Sequence, residues 1–459
     1  MIRLELGRVA QITGGRLMPP DAGGLVIDGP VVTDSREAAA GSLYVARIGE
    51  HADGHAYTGD AVRRGAVAAL VTAPVDAAPY VLVPDVQQAF AALATAVIED
   101  IDGLLVVGVT GSSGKTSTKD LMAAVLAEHA PTVANVGSLN SEVGVPLTVC
   151  RATAHTRHLV LEMGARGIGH IRYLTDMTHP RVGVVLNVGT AHVGEFGSRE
   201  AIAAAKGELV EALPADGLAV LNADDPLVAA MANRTAARVV RTGRRSPQAD
   251  IGGVDVRMGA DGCAAFTLLT PEGSAPVQLV VLGEHMVDNA LAVAAVAREA
   301  GMSVAAIAAA LSRAHLASRW RLERHDRPDG VTVLNDAYNA NPDSLAAALR
   351  TLVAMGSGRR TWAVVGEMLE LGAGSAAAHR ECGALAASLG VDRVLAVGAG
   401  AGPVAEGAGG RGATTPDVDT AYDLLRDELA PGDVVLLKSS NASGLRHLGD
   451  RLVTSEVGA

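Results

Sequence analysis

The residues Thr110-Gly111-Ser112-Ser113-Gly114-Lys115-Thr116 have the types and spacing to hold a phosphate. An apolar run, 104–109, precedes them, and a run of helix formers from Asp120 follows. The order reads strand, tight loop, helix. In that context backbone N–H groups and a helix N-terminus face an anion, Lys115 supplies charge, and the Thr116 hydroxyl reaches Mg²⁺. The strict G-x-x-x-x-G-K-[ST] pattern asks for glycine at 109, where this chain has Val109. The flanking elements, more than the string, separate a phosphate loop from a plain glycine turn.

Other side chains offer chemistry at the ends of apolar runs. Glu162 closes one such run, where a carboxylate either holds Mg²⁺ beside a phosphate loop or is simply solvated. His192 follows another, on a loop that begins at Asn187. The segment 335–342, Asn-Asp-Ala-Tyr-Asn-Ala-Asn-Pro, is too polar to continue a strand and reads as a ligand loop ahead of a helix starting near Pro342. Arg319, Arg321 and Lys438 supply cations further on.

Lysine is scarce. The chain has four, Lys115, Lys119, Lys206 and Lys438, and its other cations are arginines. Base composition explains such a bias. The lysines that survive it are nonetheless candidates for tasks arginine cannot perform, as a compact point charge or as an amine that loses its proton and reacts. Lys206 lies in an Ala-rich helix, where arginine would serve equally well on a surface.

These residues need elements to position them. With 459 residues, 49% hydrophobic and 19% charged, the chain is long enough for two to four domains with sizeable cores. Apolar runs alternate with helical stretches, which predicts an α/β protein with largely parallel sheets. Three units are expected: a small α/β module over 1–85, a central phosphate-loop domain with a parallel sheet over 86–316, opened by a connecting helix at 86–99, and a Rossmann-like α/β domain over 317–459. Strands are expected at 104–109, 158–162, 182–187 and 218–222 in the centre, with an antiparallel, strand-rich edge over 238–282. In the third unit they are expected at 331–335, 361–365, 393–397 and 434–438, with a Gly/Ala-rich loop at 400–412.

Net charge is −12, which argues against nonspecific nucleic-acid binding. Three cysteines, far apart and odd in number, show no metal or disulfide spacing and fit a reducing, cytoplasmic compartment. The first residues lack an apolar signal-peptide core, and no run is apolar and long enough for a membrane helix.

Taken in order, the motifs resemble the Mur ligases of bacterial cell-wall synthesis over nearly the whole chain. The first unit has TDSR (33–36) and GEHADGHAY (49–57). The second has VTGSSGKTSTK (109–119), SLNSEVGVPLT (138–148), LEMGA (161–165), NVGTAHVGEFGS (187–198), AAKGEL (204–209) and GEHMVDNALAVAAVA (283–297). The third has SRWRLE (318–323), NDAYNANPDS (335–344), VVGEMLELG (364–372) and VLLKSSN (435–441). The family's phosphate loop, TGxxGKT, accounts for Val109. The strings at 335–344 and 366–372 favour the member that adds D-Ala-D-Ala over the diaminopimelate-adding one, whose DNPR string is absent.

The resemblance implies an ATP- and Mg²⁺-dependent ligase acting on UDP-N-acetylmuramoyl-tripeptide and D-Ala-D-Ala through an acyl phosphate. The first domain would bind UDP, the second ATP, and the third would close over both. It implies that Gly111, Ser112, Ser113, Gly114, Lys115 and Thr116 cradle phosphates, and that Asn289, Arg319 and Asp336 contact adenine, phosphate and ribose. Thr116 and Glu162 match ligands of one Mg²⁺ and His192 a ligand of a second. Lys206 matches a lysine carried as a metal-steadying carbamate. Lys115, Lys206 and His192 are the expected catalytic set. Ser35 and Arg36 match the uridine diphosphate module, Asn140 the muramoyl side, and Lys438 a lysine near the substrate peptide. A monomer without membrane insertion is expected. Two departures stand out. SRWRLE leaves the choice between Arg319 and Arg321 open, and Asn441 replaces an arginine expected to grip the peptide carboxylate. Alternatives are another Mur-type or folylpolyglutamate-like ligase with a different amino acid, or a nucleotide-binding module without ligase chemistry.

Overall fold

The computed structural model describes residues 1–49, 52–77, 79–189 and 193–454. Within them the chain builds three main sheets in sequence, each with helices packed against it, as the alternation predicts.

The central sheet has nine strands. Their order is Gly273–Leu282, Cys263–Thr270, Ile251–Met258, Arg238–Gly243, Leu218–Asn222, Val182–Val185, Leu105–Thr110, His158–Glu162 and Thr132–Ala134. Every pairing from Ile251–Met258 to Thr132–Ala134 is parallel, and the two outer hairpin pairings are antiparallel. Val107, Val109, Val160, Val182, Val184, Leu218 and Val220 are buried, so these strands read as apolar runs and not as alternating ones. Leu105–Thr110 lies between His158–Glu162 and Val182–Val185, and the loops at its C-terminal end open into the crevice where open α/β sheets bind ligands.

The first sheet joins Arg16–Met18, Tyr80–Leu82, Ala66–Val71, Ser42–Val45 and Val31–Val32. The connecting helix, Val86–Glu99, is capped by the Asp85 carboxylate, which accepts from Gln87 N and Gln88 N. Its Phe90, Leu93 and Val97 lie in one apolar cluster with Leu6, Leu43 and Leu70 of the first unit and Leu159, Ile171 and Leu209 of the centre. That shared core welds the two units together.

The third sheet has the order Glu323–Asp326, Thr332–Asn335, Val434–Lys438, Thr361–Val365, Arg393–Val397 and Gly412–Thr415, parallel except at the first pairing. The helix Pro342–Met355 starts where Pro342 predicts, behind a reciprocal capping box between Asn341 and Ser344. One expectation fails. The stretch 400–412 is not a loop: it holds the helix Gly402–Ala408 between short 3₁₀ turns. Its glycines serve close packing against the helix Ser375–Ser388. A Cβ on Gly407 would come within 1.9 Å of the Arg380 carbonyl oxygen, and one on Gly383 within 1.9 Å of that of Val404.

Among the described residues no helix is long and apolar enough to cross a membrane. Cys150, Cys263 and Cys382 are all buried free thiols, pushed up by burial to about 12, about 11 and about 12.

Candidate functional site

A cavity of about 1090 Å³ opens at the C-terminal ends of the central strands, and walls from the centre and the third unit enclose it. The phosphate loop forms its floor. The strand Leu105–Thr110 gives way to Gly111–Gly114, and the helix Lys115–Ala127 begins immediately. Gly114 has φ +78° and stands against Asn289, whose Oδ1 would lie 3.0 Å from an added Cβ. The helix's first N–H groups have no intrahelical partners and point into the cavity mouth. Lys115 folds over the loop, with Nζ donating to the Gly111 carbonyl at 2.7 Å. Burial lowers its pKa, opposed by the nearby Glu162 carboxylate.

Glu162 ends the adjacent strand and is 1% exposed. Its Oε1 accepts from Asn140 Nδ2 at 2.6 Å, while Oε2 is buried without a partner. Ser112 Oγ and Arg321 Nε are also buried and unpartnered, and both residues line the same cavity. Buried polar atoms are normally satisfied, so three such atoms around one cavity mark a place for a polar ligand.

Lys206 lies across the cavity on the helix Arg199–Glu211, itself capped by Ser198. It is 4% exposed and has no hydrogen-bond or ion-pair partner among the described residues. Burial, and secondarily the charge of Lys115, hold its pKa well below the ordinary lysine value. His192 lies outside the described residues.

The third unit contributes Arg321, Asp336 and Lys438. Arg321 Nη2 donates to Thr116 Oγ1 and to Ser138 Oγ, each at 3.0 Å, and its guanidinium lies over the Tyr338 ring. Lys438 Nζ bonds Asp336 Oδ2 at 2.6 Å and the Asn339 carbonyl at 3.0 Å, so it orients Asp336. Arg319 is not where expected. It is half exposed, paired with Asp450 at 2.8 Å, and absent from the lining of this cavity. Trp320 and Leu322 have φ of +58° and +53°, and this sharply turned backbone sends Arg321 into the site and Arg319 away from it.

At the far end of the cavity Asn222, Thr242, His285, Asp288 and Asn289 meet. Asn140 lies on the opposite side, near Gln87 and Glu142. Ser35 and Arg36 do not reach the cavity: Ser35 Oγ donates to Asp60 at 2.8 Å, and the exposed Arg36 forks onto Asp34. Sequence reasoning passed over Asn187 and Asn135. Asn187 Oδ1 accepts from Ser112 N and Ser113 N at 3.0 and 2.9 Å and staples the phosphate loop to the next strand end. Asn135 Oδ1 accepts from Glu162 N at 2.6 Å. The available signal was an amide side chain just past each apolar strand, Thr132–Ala134 and Val182–Val185.

The Mur ligase middle domain matches residues 109–297, and the Mur ligase glutamate ligase domain matches 320–441. A UDP-N-acetylmuramoyl-tripeptide–D-alanyl-D-alanine ligase of Mycobacterium tuberculosis H37Rv is 46% identical, covering 100% of this chain and 99% of that one. The chain belongs to the Mur ligase family. The corresponding Bacillus subtilis enzyme is 32% identical over the full length of both. Among solved structures, MurF from Acinetobacter baumannii superposes with a TM-score of 0.90 at 30% identity, covering 99% of each chain. MurF from Thermotoga maritima in complex with ADP gives 0.81 at 28% identity, covering 93% of this chain and 97% of that one. In this Mur ligase the cavity thus sits between the two matched domains.

Proposed function

We infer that this chain is the ATP-dependent ligase that adds D-alanyl-D-alanine to UDP-N-acetylmuramoyl-tripeptide, a step of cytoplasmic peptidoglycan precursor synthesis. The observation that carries the reading is the meeting, in one cavity, of a phosphate loop with third-domain Arg321 and Asp336, in a chain similar throughout its length to ligases of that name. The domain bounds we assign are 1–85, 86–316 and 317–459.

The chemical problem is that a substrate carboxylate must approach a polyanionic phosphate. Lys115 and Arg321 bring positive charge to the γ-phosphoryl group, where it matters most in phosphoryl transfer. The carboxylate oxygen bonds to the γ-phosphorus and ADP leaves. The D-Ala-D-Ala amine then attacks the acyl carbon of the acyl phosphate, and inorganic phosphate departs as the amide forms. Asn289 and Asp336 are assigned to adenine and ribose, Asn140 to the muramoyl side, and Ser35 and Arg36 to the uridine diphosphate.

The oxygen donors fit Mg²⁺. Glu162 has a buried, unpartnered Oε2, and the Thr116 hydroxyl lies in the first turn beyond the phosphate loop. We assign Thr116 and Glu162 to one Mg²⁺, His192 to a second, and Lys206, as a carbamate, to steadying a metal; among the described residues no cluster of three His, Cys, Asp or Glu side chains occurs. Mg²⁺ held there supplies charge that offsets the repulsion between the phosphates and the incoming carboxylate. We assign Lys206 to a carbamate: the free-amine form of Nζ bonds the carbon of CO₂ and releases one proton, so a neutral amine becomes an anion. The low pKa of Lys206 supports this because only the free amine reacts.

The test is phosphate release from ATP with UDP-muramoyl-tripeptide, D-Ala-D-Ala and Mg²⁺. Release that requires both substrates is expected. Release with a different amino acid and none with D-Ala-D-Ala would redirect the assignment to another Mur-type ligase.

A further inference from the structure

Lys119 and Asp120 form the most deeply buried ion pair among the described residues, and no step above uses them. Their side chains are 1% and 2% exposed. They lie on the helix that starts at Lys115, one turn below the phosphate loop. Lys119 Nζ contacts Asp120 Oδ1 and donates to the Asn135 carbonyl at 2.7 Å. Asn135 in turn takes the Glu162 backbone N–H at 2.6 Å on its Oδ1 and donates to the Leu139 carbonyl at 2.5 Å. Asp120 has a second oxygen, and it reaches out of the central domain: Oδ2 accepts the backbone N–H of Ser318 at 2.8 Å.

Ser318 opens the segment that crosses into the third unit. Three residues later comes Arg321, whose guanidinium returns to Thr116 and Ser138. The contacts therefore close a ring. It runs from Asp120 to Ser318, along the turned backbone at Trp320 to Arg321, from Arg321 to Thr116 and down the helix back to Asp120, with Lys119 and Asn135 linking it to the backbone of Glu162. A buried charge pair is costly to dehydrate and is weak evidence of stability for its own sake. Here each partner spends its remaining bonding capacity on a backbone group of a different segment of the active site.

We propose that Asp120, held by Lys119, is a positioning residue for nucleotide binding: by fixing Ser318 it sets where Arg321 meets the phosphates, and through Asn135 the same pair sets the carboxylate of Glu162. The proposal rests on the ligase reading for its kinetics, but its binding arm does not.

The chain has two tryptophans, Trp320 in this segment and Trp362 in a third-unit strand. In a Trp362→Phe background, fluorescence reports Trp320 alone. Its emission is expected to change as ATP with Mg²⁺ is added, and in Asp120→Ala the midpoint of that change moves about tenfold higher, the size expected for a lost hydrogen bond to a charged group. In steady state Asp120→Ala raises KM for ATP by about the same factor, with KM for the UDP-substrate within twofold, and Asp120→Glu restores most of the loss. Should Asp120→Ala fail to fold, Ser318→Pro keeps Lys119 and Asp120 and removes the backbone donor to Asp120 Oδ2, and the same shift is expected. Unchanged nucleotide midpoints in whichever of these two variants folds overturn the proposal. A wild-type protein that binds ATP with the Trp320 signal but releases no phosphate refutes the ligase reading and leaves this one standing.

Discussion

Two buried lysines face each other across the structure's chemistry and have opposite surroundings. Lys119, beneath the phosphate loop, is neutralised by Asp120 and bonded to a carbonyl. Lys206, across the cavity, is also buried and has no partner among the described residues. Burial alone therefore does not mark a reacting group. Burial without a partner among the described residues disfavours the charged form, and it holds the Lys206 pKa well below the ordinary lysine value. The first lysine is a charge paired inside the scaffold, and the second is a buried amine lining the cavity without a partner among the described residues.

Four measurements break or sharpen that contrast. The largest effect is on folding. Lys119→Ala strands the Asp120 carboxylate and is expected to cost about 3–5 kcal/mol in urea unfolding, while Lys206→Met is expected to be neutral or stabilising. Equal losses would erase the distinction. Next is turnover. Lys206→Ala is expected to lose about 100-fold in kcat, in the range of removing one transition-state contact, with added short carboxylic acids recovering part of it. A variant of wild-type activity removes the carbamate and leaves the ligase assignment untouched. Third, Arg321→Ala is expected to raise KM for ATP by about 10- to 100-fold, as for a hydrogen bond to a charged group, and Arg319→Ala by less than twofold. The reverse ranking would mean that the phosphate-facing cation was misassigned.

The smallest effect is on pH dependence. The folded-state pKa of Lys206 lies below its unfolded value near 10.5. Between those two values the unfolded chain binds more protons, so stability contributed by this group rises with pH. Thermal midpoints from pH 7 to 9.5 should climb more for wild type than for Lys206→Met. Parallel profiles would show that Lys206 is charged in the fold.

Much of this was legible in the sequence because apolar runs of strand length need no tertiary information. The strands at 158–162, 218–222, 361–365, 393–397 and 434–438 fall where expected. The phosphate loop, Glu162 and Lys206 are also brought together as their positions at strand ends and on the facing helix imply. Two features were hidden for physical reasons. Glycine and alanine at 400–412 suggest a loop, yet those small residues let one helix press onto another, a property of the neighbour and not of the segment. Arg319 and Arg321 are equivalent in sequence, and the positive φ at Trp320 and Leu322, which no local pattern announces, accompanies the turn that brings Arg321 and not Arg319 to the cavity.

The antiparallel hairpins at the sheet edge have a consequence for synthesis. Their last strand, Gly273–Leu282, feeds the helix Met286–Glu299, which lies back across the sheet and delivers Asn289 to Gly114. Arg321 arrives later still. Domains form as units once their residues have emerged, so a chain leaving the ribosome completes its central domain, phosphate loop and Asn289 together, before the Arg321 guanidinium that meets Thr116 has been made. A chain truncated before the third unit therefore displays the loop without Arg321, Asp336 and Lys438 beside it.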